Sequence, residues 1–95
     1  MSYTQQYEDY SNSYNNIMKV LSDIIESGEI TPGSQALLEE AYVDYNNSYA
    51  DTLKTLQSIK DSTIIKRIED IEIKKIDADK KSIIDILTNN GVNNS

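Results

Sequence analysis

Asp77-Ala78-Asp79 spaces two carboxylates as they stand at the start of a calcium-binding loop. Such a loop needs glycine for the sharp turn at its sixth position and a bidentate glutamate at its twelfth. Those positions hold Ser82 and Thr88, so the motif is incomplete and no calcium site is expected. The adjacent acids Glu8-Asp9 and Glu39-Glu40 fall on segments that read as helix, where sequence neighbours point in different directions. They do not form a catalytic pair. His and Cys are both absent, which removes the commonest general base, the commonest zinc ligands and the thiol nucleophile together. Tyr and Ser hydroxyls remain, but only a Lys or a carboxylate is left to activate them, and no spacing places one beside them. Gly28, Gly33 and Gly91 lie too far apart to cradle a phosphate. No catalytic, cofactor-binding or metal-binding residue is assigned, and the chain is expected not to be an enzyme.

Without such a site, the elements themselves carry the information. The chain has 95 residues, a net charge of −7 and 38% hydrophobic residues, with seven Tyr as its only aromatics. A chain of this length buries a modest share of its surface alone, so self-association would help it. The acidic balance disfavours binding to nucleic-acid phosphate. Residues 1 to 60 carry nine acids against Lys19, Lys54 and Lys60, a net of −6; residues 61 to 95 carry seven acids against six bases, a net of −1. The acidic half suits a basic protein surface, although a solvated face is the simpler reading. No apolar run approaches the length needed to span a bilayer, and the amino terminus lacks a secretory signal pattern.

Shifting the chain by 35 residues aligns Tyr7 to Ile24 with Tyr42 to Ile59, with nine of eighteen positions identical. The identities include three Tyr in each copy, Tyr7, Tyr10 and Tyr14 against Tyr42, Tyr45 and Tyr49. Within each copy the apolar residues recur by alternating steps of four and three, the spacing of one face of a helix. The first stripe runs Tyr3, Tyr7, Tyr10, Tyr14, Ile17, Leu21 and Ile24. The second runs Leu38, Tyr42, Tyr45, Tyr49, Thr52, Leu56 and Ile59. Between them Gly28 can take the left-handed position after a helix, Thr31 can cap the next helix, and Pro32 fits its first turn. The fold class is therefore all-α, beginning with an antiparallel αα-hairpin over about 3–27 and 32–60. Folding about the turn pairs residues whose numbers sum to about 59: Tyr14 with Tyr45, Tyr10 with Tyr49, Ile17 with Tyr42, and Leu21 with Leu38. The expected hairpin core is Tyr7, Tyr10, Tyr14, Ile17, Leu21, Leu38, Tyr42, Tyr45, Tyr49 and Leu56. Tyr rows at this spacing read as core rather than as a sugar or peptide platform. Asn12, Asn15, Asn16, Asn46 and Asn47 stand beside them as hydrogen-bonding neighbours for phenols or a second subunit.

After Ile59 the stripe loses phase. Asp61 or Ser62 can cap a third, Ile-rich helix over 61–88, with Ile64, Ile65, Ile68 and Ile71 on one line and Ile73, Ile76, Ile83, Ile84 and Leu87 on a shifted one. Ile71-Glu72-Ile73 also alternates as a strand does. This segment reads either as an intramolecular helix or as a coiled-coil seam, and Ile-rich seams lean toward trimers or tetramers. In the second case Ile65, Ile68, Ile76, Ile83 and Leu87 form the partner interface of a homo-oligomer. Residues 89–95 read as a helix stop and a polar tail.

Ile30-Thr31-Pro32 leading into Leu37-Leu38, then Tyr45-Asn46-Asn47-Ser48-Tyr49 and Leu53, resembles the helical segments of tail and baseplate proteins from phages of Gram-positive bacteria. Ser82-Ile83-Ile84-Asp85-Ile86-Leu87-Thr88-Asn89-Asn90-Gly91 is similar to the helix that runs into a β-rich domain in such proteins. The resemblance implies a trimeric structural element of a virion tail that spaces or joins modules facing the host. It also implies a β-rich continuation that this sequence does not contain, as in a fragment or a stand-alone derivative. The competing expectation is a small acidic phage-encoded protein that binds and inhibits a host or defence protein in the host cytoplasm.

Overall fold

The computed structural model describes residues 3–62 and 67–89, except the side chains of residues 67 and 68. Three helices account for them: α1 (Tyr3–Ser27), α2 (Pro32–Asp61) and α3 (Arg67–Asn89). α1 and α2 form the expected antiparallel hairpin and pack against each other most closely. α3 returns antiparallel to α2. Its Lys75 meets Tyr7 and its Asp79 meets Tyr10, so residue numbers on α1 and α3 rise together. At 1.5 Å per residue α2 spans about 45 Å. The molecule is accordingly a rod measuring 49 × 25 × 21 Å.

The hairpin turn follows its sequence signals. The Gly28 N–H donates to the Ile24 carbonyl at 3.0 Å, and Gly28 has a φ of 75° that a side chain would resist. Thr31 sits in extended conformation as the cap of α2. Its Oγ1 accepts the Ser34 N–H at 3.1 Å while the Thr31 N–H donates to Ser34 Oγ at 2.8 Å, a reciprocal pair that satisfies two otherwise orphaned donors. Pro32 occupies the first turn, where its missing N–H costs nothing.

The expected start of the third helix is corrected. Asp61 ends α2 and Ser62 is its C-cap, with Ser62 N–H donating to the Ser58 carbonyl at 3.2 Å and its Oγ to the Ile59 carbonyl at 3.0 Å. The strand alternative for residues 71–73 is also settled, since α3 runs through them unbroken. Ile71 simply faces solvent, at 54% exposure.

One core runs through all three helices. It contains Tyr10, Ile17, Leu21 and Ile24 from α1, Leu38, Ala41, Tyr45 and Leu56 from α2, and Ile76, Ile83 and Leu87 from α3. Burying an Ile or Leu side chain contributes roughly 1.5–3 kcal/mol, so the three α3 residues are a substantial reason for that helix to lie on the hairpin. Tyr14, Tyr42 and Tyr49 are half-buried against this core. Tyr7 is half-buried at its edge. A phenol ring can cover apolar neighbours while its hydroxyl reaches a polar partner at the rim.

Candidate functional site

Five of the expected hairpin-core tyrosines, Tyr7, Tyr10, Tyr14, Tyr45 and Tyr49, are joined by ring contacts. Tyr45 packs against both Tyr10, with ring centroids 5.6 Å apart, and Tyr14, at 6.2 Å. Tyr14 and Tyr45 pair as the hairpin register requires. Tyr10, however, bonds to Tyr45 where that register places it opposite Tyr49: the two hydroxyls lie 3.1 Å apart. Tyr10 and Tyr45 are equivalent positions of the 35-residue repeat. The repeat thus brings two of its own equivalent positions into contact at this phenol pair.

α3 lays a row of charged residues along these tyrosines. Tyr10 donates its hydroxyl proton to Asp79 Oδ2 at 2.9 Å. A carboxylate only accepts, so that proton is committed, and the Tyr10–Tyr45 bond must use the Tyr45 proton. One turn earlier on α3, Lys75 donates to the Tyr7 hydroxyl at 3.0 Å. Toward α2, Tyr49 donates to Asp77, and the Lys80 ammonium lies 4.5 Å from the Tyr49 ring centroid. Lys75 and Asp79 therefore serve α1, while Asp77 and Lys80 serve α2. Farther along, Lys60 of α2 forms an ion pair with Asp70.

Burial above all, then the bonds to Tyr45 and Asp79, pushes the Tyr10 phenol far above its ordinary value. Burial likewise pushes Tyr45 up to about 12, although its bond to Tyr10 acts in the opposite direction. Tyr49 is pushed up to about 12 by burial and by its bond to Asp77. Tyr14 is raised by burial and the nearby Asp79 charge, and Tyr3 by burial and Glu72. The hydrogen bond to Tyr7 raises Lys75. These shifts keep the shifted phenols protonated at neutral pH, where they act as hydrogen-bond donors and not as phenolate nucleophiles. The arrangement can hold a helix in place.

Comparison with family models, with curated proteins and with solved structures returns no match for this chain. Its own geometry must carry the functional reading.

Of the expected partner-interface residues, Ile76 and Ile83 have 0% exposure and Leu87 has 2%. They face the hairpin rather than a free seam, because the two tyrosine helices leave a groove that an apolar stripe can fill. Ile65 and the side chain of Ile68 lie outside the described residues. Asp77 and Asp79, whose spacing suggested the start of a calcium loop, lie two residues apart on a helix and so point to different sides, where they accept hydrogen bonds from Tyr49 of α2 and Tyr10 of α1. Among the described residues no group of His, Cys, Asp or Glu could hold a metal ion, and no helix is long and apolar enough to cross a membrane. Asn12, Asn15, Asn16 and Asn47 face solvent, while the half-buried Asn46 has an Oδ1 without a partner. Thr52, in the otherwise apolar stripe of α2, is fully buried with its Oγ1 unpaired.

Sequence reasoning missed Lys75, Asp77, Asp79 and Lys80 as the partners of the tyrosines. The available signal was the requirement that buried phenols find acceptors. Asp79 lies 69 residues from Tyr10, however, and only the packing of α3 reveals that pairing.

Proposed function

We propose that this chain is a non-enzymatic helical spacer and assembly module, of the kind found in phage tails and baseplates, which self-associates and joins neighbouring modules. The observation that carries this reading is the fastening of α3. Ile76, Ile83 and Leu87 complete the hairpin core while Asp79 and Asp77 accept hydrogen bonds from tyrosines on two different helices, giving a braced rod 49 Å long. A braced rod holds its ends at a fixed separation, which is what a spacer requires. The resemblance of Ile30-Thr31-Pro32 and Tyr45 to Tyr49 to phage tail helices supports the setting, with the virion tail as its location and a trimer as its favoured assembly. Sedimentation equilibrium up to millimolar concentration tests the reading. Concentration-dependent oligomers are expected, and a strict monomer would count against it.

A second reading has its own observation. Glu39, Glu40, Asp44 and Asp51 are all exposed on α2 and present an acidic face to solvent. A small acidic protein that occupies a basic site on a host or defence protein would use such a face. Pull-down from host lysate with reversal of Glu39, Glu40 and Asp44 separates the readings. A specific partner lost on reversal favours the inhibitor.

A further inference from the structure

The turn end of the hairpin exposes apolar surface that the core does not use. One groove there, of about 270 Å³, is lined by Val20, Ile24 and Leu37, by the acids Asp23 and Glu29, and by three hydroxyl residues of the turn. A second shallow groove on the turn shares Ile24 and Glu29 and adds Ile25 and Ile30. Leu37, Ile25 and Ile30 are 59%, 49% and 42% exposed, large apolar groups left in water beside acids. Neither groove is lined by Lys or Arg.

The complementary surface is on the same molecule. Ile71, Lys74, Ala78 and Lys81 follow steps of three and four and are all exposed, so they form one stripe on the outer side of α3, ended by Asp85. Lys75 and Lys80 are engaged by tyrosines of this chain, whereas Lys74 and Lys81 point outward. An apolar residue followed by two lysines two turns apart is the pattern that an apolar groove carrying acids would accept.

We infer that the turn-end groove docks the outer face of α3 from a second copy of this chain, with Ile71 and Ala78 over Val20, Ile24 and Leu37 and with Lys74 and Lys81 against Asp23 and Glu29. Resting on the reading of the chain as a self-associating module, this names the surface that does the joining. The two surfaces differ, so each copy offers one and accepts the other. Such a heterologous contact builds a ring or an open row rather than a closed twofold dimer.

The test is sedimentation equilibrium of the full chain at low salt in four forms: wild type, D23K/E29K, K74E/K81E, and all four changes combined. The four positions are exposed, and circular dichroism checks that each form keeps its helices. Wild type should associate. Each reversed pair should weaken the association constant by about tenfold or more, and the combined form should recover to within about threefold of wild type. Association that ignores both reversals overturns the docking surface but leaves the spacer reading standing, as does a combined form no better than either pair alone. A wild type that stays monomeric overturns both. Wild type that is monomeric but binds a Lys- and Leu-bearing amphipathic peptide through Asp23 and Glu29 assigns the groove to a foreign basic segment and overturns the second-copy assignment.

Discussion

The hydroxyls of Tyr10 and Tyr45 lie 3.1 Å apart at equivalent positions of the 35-residue repeat, and Tyr10 in turn donates a hydrogen bond to Asp79. The chain Tyr45 to Tyr10 to Asp79 therefore has a direction, and that direction makes its members unequal. Tyr10→Phe strands both the Tyr45 donor and the Asp79 acceptor, whereas Tyr45→Phe removes one bond accepted by Tyr10. Leaving a buried polar group unpaired costs about 1–3 kcal/mol, against about 1 kcal/mol for a simple lost bond. Urea unfolding should rank Tyr10→Phe as the more damaging by about 1 kcal/mol. Equal costs, or the reverse order, would remove the proposed direction.

Alkaline pH should unfasten the bundle. The phenols of Tyr45 and Tyr49 stand near 12 in the folded chain against an ordinary 10.0, and Tyr10 is raised further. Raised values mean that the folded state holds these protons more tightly than the unfolded state does. Their contribution is fully present below pH 10 and is lost as pH rises from about 10 through 12. Tyrosinate absorbance followed alongside circular dichroism should show a late group of phenols titrating together with loss of helix. All phenols titrating near pH 10 in a chain that stays folded would contradict the burial described here.

Thr52 offers a test in the stabilising direction. Its hydroxyl is fully buried without a partner, and Val has nearly the same shape. Thr52→Val should raise stability by about 1 kcal/mol in denaturant unfolding. A loss of stability would show that the hydroxyl has a partner after all.

The turn should respond to two small changes. Gly28→Ala meets no steric neighbour but must hold a positive φ, so its cost of about 1 kcal/mol is purely conformational. Thr31→Ala removes the side-chain half of the capping box and should cost about 0.5–2 kcal/mol. Thermal melts of the two single variants and the double variant check both figures.

Much of this architecture was legible from periodicity. The steps of four and three from Tyr3 to Ile24 and from Leu38 to Ile59 located both hairpin helices, and Gly28, Thr31 and Pro32 located the turn to the residue, because those signals are local. The register was harder to read. Pairing numbers that sum to 59 placed Tyr14 against Tyr45, but the Tyr10–Tyr45 bond sits half a heptad away, since rings of this size reach two neighbours across a helix pair. The destination of the Ile-rich stripe could not be read at all. Ile76, Ile83 and Leu87 have the same spacing whether they meet another copy or the chain's own hairpin, and only the groove between α1 and α2 decides. The tyrosine partners were hidden for a related reason: Asp77 and Asp79 lie 28 and 69 residues from Tyr49 and Tyr10, and only the packing of α3 brings them to the phenols.

Core substitutions on α3 separate its two faces. Ile83→Ala opens a cavity in the shared core and should cost about 2–5 kcal/mol. Ile71→Ala, on the exposed stripe, should change stability by about 0.5 kcal/mol or less. Similar costs at both sites would mean that α3 is not seated as described.

Native-state hydrogen exchange tests the central claim most directly, that α3 is part of one cooperative core with the tyrosine hairpin. The account predicts that amides between Ile76 and Leu87 exchange with the same opening free energy as those around Ile17 and Tyr45, because no helix can leave without exposing the shared core. Fast exchange across α3 beside strong protection in α1 and α2 would contradict it.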